Sequence, residues 1–268
     1  MRRRIGRSKL WSRGYRLLLL IGAMLLTLAA QAFGQGGPPM RTDDPGTPGN
    51  GNWEINIAVT TEMRAAERTF ETPLLDINYG VGERIQLKFE IPFVVQAADG
   101  ARTQRGFGNS LAGVKWRFFE KGGWALSTYP QLEFNNPTES VEKGLAESGT
   151  RMLLPLEFTR KCGPVYLNLE IGYSFAPHGE REWILGLAAG REINRKLEIM
   201  AEIYDTGEVH EGNETTFGVG GRYKLGGPFT LLLMAGRSFH GLDSAQPRFI
   251  GYGGLQINLE RHHSHNSD

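Results

Sequence analysis

The chain has 268 residues, with 30 lysines and arginines against 29 aspartates and glutamates, and a single cysteine, Cys162. This charge balance lacks the basic excess that nucleic-acid binding requires, so no nucleic-acid partner is expected. One cysteine also excludes an intrachain disulfide, and with it the class of small secreted domains that disulfides hold together.

The first 32 residues have the three parts of a secretory signal peptide. They contain seven basic residues and no acid, then an apolar run over 17–28, then Ala30-Gln31-Ala32 in the small-residue spacing of a cleavage site. A membrane anchor is the alternative, but a spanning helix needs about 20 apolar residues and this run is shorter. Cleavage after Ala32 leaves 23 basic residues against 29 acidic ones, a net charge of −6. We therefore predict an exported, mildly acidic protein.

Residues 33–52 are rich in glycine, proline, aspartate and asparagine, which predicts an irregular segment. Two interpretations stay open for it. The segment is either a plug inside the following domain or a disordered lead-in before it. As part of a plug, Asp43 and Asp44 would pair with arginines of the lumen or coordinate a hard cation.

From residue 53 to residue 260 apolar and polar side chains alternate, as they do in β-strands. The hairpin over 74–96 shows this most clearly. Ile85, Leu87 and Phe89 fall on one face of its second strand, and Gln86 and Lys88 fall on the other. Twelve such runs are predicted, the second and third being this hairpin, and the others cover 53–64, 110–119, 124–135, 150–160, 164–175, 182–191, 196–205, 215–225, 229–239 and 248–260.

The connections between these runs alternate in length. Short turns follow the even-numbered runs, and longer loops follow the odd-numbered ones, at 61–69, 97–107, 136–149, 176–181, 206–214 and 240–246. In an up-and-down antiparallel barrel, all short turns lie at one end and all long loops at the other, as in transmembrane barrels. The pattern predicts an all-β, transmembrane, up-and-down antiparallel barrel of about 12 strands over 53–260, followed by a polar tail over 261–268.

Two features indicate that the apolar faces point outward, into lipid. The apolar faces are continuous over about ten residues, the length at which a tilted strand crosses a bilayer, and aromatic residues gather near the ends of the runs. Backbone groups in hydrocarbon must also be paired internally, which a closed barrel achieves. The alternative is a secreted β-sandwich or a lipocalin-like barrel, with the apolar faces inside.

With the apolar faces outside, the charged faces line the lumen. They would set the selectivity of a polar conduit, or else pair across strands and fill the interior. The predicted pore-lining residues are Arg84, Lys88, Glu90, Lys115, Arg117, Glu133, Arg151, Glu157, Glu170 and Arg222. Some apolar side chains are also expected to face inward, namely Ile184, Met200, Leu232 and Met234.

Several stretches resemble a known family of outer-membrane barrels, the transporter-like meta-pathway phenol-degradation family. They are 37–45 (GPPMRTDDP), 51–55 (GNWEI), 76–82 (DINYGVG) and 108–118 (GNSLAGVKWRF). The resemblance implies an outer-membrane location and passage of hydrophobic or aromatic compounds. It supplies no catalytic residues.

The sequence predicts passive, selective passage or binding of small solutes, without catalytic residues, cofactor or metal. The expected partners are outer-membrane lipids, a small solute and the barrel-assembly machinery. Two alternatives stay open. One is a structural or adhesive surface barrel that acts through its loops. The other is a lipid acyl hydrolase or transferase, for which the histidines in the long loops, with Ser238 close to His240, are the available groups.

Overall fold

The computed structural model describes residues 37–176, 181–208, 212–239 and 246–261, so the predicted signal peptide and most of the polar tail lie outside the described residues. The described residues form fourteen strands: β1 (Trp53–Met63), β2 (Glu67–Val81), β3 (Ile85–Ala98), β4 (Gln104–Phe107), β5 (Ser110–Lys121), β6 (Trp124–Thr128), β7 (Gln131–Phe134), β8 (Thr150–Cys162), β9 (Val165–Phe175), β10 (Arg181–Glu192), β11 (Leu197–Glu208), β12 (Gly212–Gly226), β13 (Phe229–Ser238) and β14 (Phe249–Leu259). No helix in these ranges is both long enough and apolar enough to span a bilayer.

The strands form one antiparallel sheet that closes on itself. The first and last strands pair along their whole length, from Trp53 opposite Leu259 to Met63 opposite Phe249. Strand β4 is a short extra strand that pairs with the C-terminal part of β3. Strands β6 and β7 share one position in the wall between β5 and β8. The wall therefore has twelve strands, which confirms the predicted up-and-down barrel.

The predicted strand over 124–135 is interrupted in the middle. Strand β6 ends at Thr128 and β7 begins at Gln131, because Pro130 has no N–H to donate to a ladder. The wall stays sealed there, since the amide of Val114 donates to the Pro130 carbonyl at 3.0 Å.

The predicted difference between short turns and long loops holds only in part. Strands β1 and β2 continue their ladder to Met63 opposite Arg68, so only residues 64–66 connect them instead of the predicted 61–69. Strands β11 and β12 likewise extend until residues 209–211 remain between them. A ladder can continue past the hydrocarbon region into water, and sequence alternation does not mark where the bilayer ends. The longer connections are those over 99–109, which contains β4, 135–149 and 239–248.

The barrel is apolar outside and polar inside, as predicted. Outward-facing Ile171 and Leu187 are 53% and 48% exposed, whereas inward-facing Asn56, Glu157 and Glu170 are 3% exposed or less. Aromatic side chains form contacting pairs near both ends. Trp53–Tyr79 and Trp124–Phe158 lie at the end with the short turns, and Phe93–Phe107 and Phe217–Phe239 lie at the end with the loops.

We expect the cost of a charge on the outer surface to depend on its depth. Leu187→Arg, in the middle of β10, should lower the free energy of unfolding by about 2–4 kcal/mol, because arginine at the bilayer midplane is poorly solvated. Leu225→Arg, near the end of β12, is the matched control and should cost about 0–1 kcal/mol. Urea titration of the barrel in lipid vesicles measures both values. Equal costs at the two positions would contradict the lipid-facing assignment.

Candidate functional site in the barrel lumen

The N-terminal segment, defined here as residues 37–52, enters the lumen before β1 begins. Met40 and Asp44 are 4% exposed and Thr42 is fully buried. Residues 37–52 form no strand or helix, so their backbone N–H and C=O groups have no ladder of their own and must find partners on the barrel wall.

Three wall residues supply those partners. The Glu202 carboxylate on β11 accepts hydrogen bonds from the amides of Arg41, at 3.0 Å, and Thr42, at 2.9 Å. Glu170 on β9 accepts one from the amide of Asp43 at 2.9 Å. Arg222 on β12 donates to the Pro38 carbonyl at 2.7 Å and to the Gly37 carbonyl at 3.2 Å. Hydrogen bonds to charged groups are the stronger kind, so the wall charges hold the segment by its backbone.

Lys115 on β5 attaches the segment to the side of the barrel that lies opposite β11 and β12. Its side chain is 2% exposed, and its Nζ lies 2.8 Å from Asp43 Oδ1 and 3.4 Å from Glu157 Oε2. The Nζ also donates to the Asp44 carbonyl and lies 4.6 Å from the centre of the Tyr129 ring. A buried ammonium requires such partners, because desolvation of an unpaired charge costs several kcal/mol.

A second polar cluster lies beside Lys115 on β1, β2 and β3. Lys88 Nζ is 3.5 Å from Asp76 Oδ1 and 3.0 Å from Glu90 Oε2. Asp76 also accepts hydrogen bonds from the side-chain amides of Asn56 and Asn78, both at 3.0 Å. The cluster therefore finds its partners within the wall, without the N-terminal segment, and its one cation and two carboxylates keep a net charge of −1.

Apolar side chains complete the attachment of the segment. Met40 packs with Tyr166 and Met200, and Met234 lies against this cluster. Met200 and Met234 do face inward, as do the fully buried Leu232 and the 5% exposed Ile184, as predicted.

The loop end of the lumen carries its own ion pairs. Arg64 lies 2.6 Å from Glu62 and 3.3 Å from Glu214, and Arg151 Nη1 lies 3.1 Å from Glu182 Oε2. The connection over 135–149 folds inward here, since its Ser140 and Leu145 are buried.

Three cavities follow the barrel axis. A chamber of about 760 Å³ at the turn end lies between the segment and wall residues such as Glu83 and Arg117. A chamber of about 460 Å³ at the loop end lies between β2, β3, β5, β7 and residues 144–147. The cavity between Asp43, Lys88 and Arg222 has about 30 Å³, which is room for one or two water molecules. The segment and its ion pairs thus narrow the middle of the lumen.

The structure places nine of the ten predicted pore-lining residues on the inward face of the wall. They are Lys88, Glu90, Lys115, Arg117, Glu133, Arg151, Glu157, Glu170 and Arg222. Arg84 is the exception. The ladder between β2 and β3 ends at Val81 opposite Ile85, so Arg84 lies in the exposed turn and not on the wall. The role of these residues in a conducting pore stays a prediction.

Several lumenal groups were not predicted as pore-lining. Asp76 and Asn56 follow the same alternation as the predicted residues, and extending the pattern to every polar inward position would have found them. Tyr129 has no such signal, because it lies in the interruption between β6 and β7. Its ring is fully buried against Lys115.

The chemistry predicted for Asp43 and Asp44 also differs in detail. Asp43 pairs with a lysine, Lys115, and not with an arginine; Arg222 binds backbone carbonyls of the segment instead. Within the described ranges, histidine, cysteine and carboxylate side chains form no group of three or more that could hold a metal ion.

The groups considered for lipid chemistry are only partly described. The histidines at 178, 210 and 240 lie outside the described residues. Ser238 is buried, with 5% of its surface exposed, and its hydroxyl donates a hydrogen bond to Gln246 Oε1 at 2.6 Å. That contact joins the end of β13 to the connection that follows it.

Comparison with known proteins gives a fold and no family. No protein-family profile matches the sequence, and no curated protein matches it either. The resemblance to the meta-pathway phenol-degradation family therefore stays a prediction.

Solved structures of outer-membrane barrels do match. An outer membrane channel from Pseudomonas putida F1 is similar over 84% of this chain and 99% of its own, with a TM-score of 0.62 and 13% identity. The KdgM porin is similar over 78% of this chain and 100% of its own, with a TM-score of 0.54 and 12% identity. The NanC porin covers 77% and 100%, with a TM-score of 0.54 and 7% identity. At these identities the likeness shows the fold of outer-membrane barrels.

We expect Lys115 to keep the N-terminal segment in the lumen. In Lys115→Met the segment should leave the lumen more often, because Asp43 and Glu157 lose their cation. The measurement is maleimide labelling of a cysteine placed by Met40→Cys in a Cys162→Ser background, and its rate should rise by about tenfold, equivalent to about 1.4 kcal/mol. Lys121→Met, an exposed lysine at the end of the same strand, is the control. Equal labelling rates in the two variants would contradict the role of Lys115.

Proposed function

We propose that this protein is an outer-membrane conduit through which small solutes pass passively, with the turn end facing the periplasm. The observation that carries the proposal is the pair of chambers, about 760 Å³ and 460 Å³, at opposite ends of one closed and charge-lined barrel. A barrel that served only as a surface scaffold would gain nothing from chambers at both ends. The outer-membrane channels and porins that share the fold support the same assignment.

The N-terminal segment determines how wide the conduit is. Its contacts are ion pairs and hydrogen bonds to Lys115, Glu170, Glu202 and Arg222. Each of these contacts can be exchanged for a contact with water or with a solute group. The segment therefore narrows the path but is held in the lumen by non-covalent contacts. Passage accordingly requires either a solute small enough for the narrow middle or a shift of the segment.

The solute class is the finer part of the proposal. The loop-end chamber combines carboxylates with the apolar side chains of Pro92, Val94, Leu111 and Leu145. Such a lining fits a small solute with an apolar or aromatic body and a polar group, which is the kind of compound that the sequence resemblance implies. The KdgM porin was solved in complex with a disordered oligogalacturonate. An oligogalacturonate therefore serves as the comparison solute when passage of an apolar or aromatic compound is measured.

We expect the purified full chain to give discrete conductance steps in planar lipid bilayers. Asp43→Asn should increase the step size or the open fraction, because the ion pair with Lys115 is weakened and the segment leaves the middle of the lumen more often. Asp99→Asn changes the same chemistry in an exposed loop, where Asp99 lies 3.9 Å from Arg68, and should leave the steps unchanged.

A heat-dependent shift in gel mobility confirms that each variant is folded before it is measured. A folded wild-type barrel and a folded Asp43→Asn barrel that are both silent would contradict the conduit. Release of fatty acid from phospholipid by the same preparation would favour the lipid-hydrolase alternative instead.

A further inference from the structure

Carboxylates outnumber cations along the whole lumen. The narrow middle cavity is lined by Asp43, Asp44, Glu54 and Asp76 against three cations, and the turn-end chamber has four carboxylates against two. The loop-end chamber has four carboxylates, from Glu71, Glu90, Glu133 and Glu147, and no lysine or arginine among its described lining residues. The excess of negative charge is thus continuous from end to end and greatest at the loop end.

Two of the four loop-end carboxylates have a cation partner nearby. Glu90 lies 3.0 Å from Lys88 Nζ, and Glu147 pairs with Arg151. These cations also serve other carboxylates, Asp76 and Glu182. Each cation is therefore shared between two carboxylates, so each of the two groups keeps a net charge of −1 that is spread over three side chains.

The other two carboxylates are held by neutral donors alone among the described residues. Glu71 Oε2 accepts a hydrogen bond from the Thr60 hydroxyl at 2.6 Å, and Glu133 Oε1 accepts one from the Asn109 side-chain amide at 2.8 Å. A neutral donor fixes the position of a carboxylate without cancelling its charge. Glu71 and Glu133 therefore line the chamber as carboxylates without a cation partner among the described residues.

From this arrangement we propose that the conduit selects cations, and that Glu71 and Glu133 are its main selectivity-determining residues. The inference rests on the proposed function and specifies its solute class: inorganic cations, and organic cations whose apolar body contacts Pro92, Val94, Leu111 and Leu145. The physical basis is that charge of one sign lining a low-dielectric passage concentrates the opposite ion and excludes its own sign. Screening by salt weakens the effect, so the preference is largest at low ionic strength.

The test is the reversal potential of the full chain in planar bilayers under a potassium chloride gradient. The wild type should show a permeability ratio of potassium to chloride above one, which rises as the salt is diluted. In the double variant Glu71→Gln and Glu133→Gln the reversal potential should move toward zero, while discrete conductance steps persist. Glu139→Gln is the matched control, because Glu139 is an exposed glutamate of the 135–149 connection that pairs with Lys143 and does not line the chamber.

A second measurement addresses organic cations. Tetraethylammonium on the loop side should carry current or interrupt the potassium current in the wild type, and should do so less in the double variant. Benzenesulfonate, an anion of similar size, should do neither.

The outcomes separate this inference from the proposed function. Conductance steps with a chloride preference, or with a cation preference that the double variant retains in full, would overturn the selectivity assigned to Glu71 and Glu133 and leave the conduit intact. A folded but silent wild-type barrel would overturn the conduit and the selectivity together.

Discussion

Every backbone N–H and C=O in a bilayer must be paired within the protein, and this constraint accounts for most of the structure. A sheet satisfies it only when its first and last strands meet, as β1 and β14 do over eleven residue pairs from Trp53–Leu259 to Met63–Phe249. Closure in turn fixes the direction of each side chain. The alternation that puts Leu187 into lipid puts Glu170 and Lys115 into the lumen, where they need partners.

The N-terminal segment meets that need. It brings amides and carbonyls to wall charges that would otherwise be buried with few partners, and the Asp43 carboxylate to the buried Lys115. Segment and wall stabilise each other. An irregular segment cannot pair its own backbone N–H and C=O groups, and charged side chains in the lumen can be buried away from water only when they have partners. The same contacts narrow the middle of the lumen and leave a chamber at each end. The geometry of the conduit thus follows from the way its interior charges are satisfied.

Much of the barrel could be predicted because strand alternation is a local signal. Strand β3 was predicted correctly from Ile85, Leu87 and Phe89, and the inward direction of Lys88 and Glu90 followed from the same period. The failures lie where that local rule stops. The period says nothing about where a ladder ends, so Arg84 was assigned to the wall although it lies in the turn. Pro130 interrupts the strand that was predicted over 124–135.

The contacts of the lumen could be predicted only in outline. The composition of residues 33–52 left a plug and a lead-in equally open, because no local pattern records that Asp43 meets Lys115, 72 positions later in the chain. Some carboxylates, such as Glu71 and Glu133, lack a cation partner. Which ones do depends on the donors that the closed sheet brings beside them. Such pairings are properties of the closed barrel and not of any one strand.

Cross-linking inside the lumen tests the central claim most directly, namely that the N-terminal segment occupies the barrel interior. In a Cys162→Ser background, cysteines at positions 40 and 200 should be joined by a short bifunctional thiol reagent in isolated membranes, because Met40 and Met200 pack in one cluster. The control places the second cysteine at position 199, the neighbouring residue, where Ile199 is 48% exposed on the lipid face. Cross-linking to position 200 and not to 199 is the predicted result. Equal cross-linking to both positions, or to neither, would contradict the account.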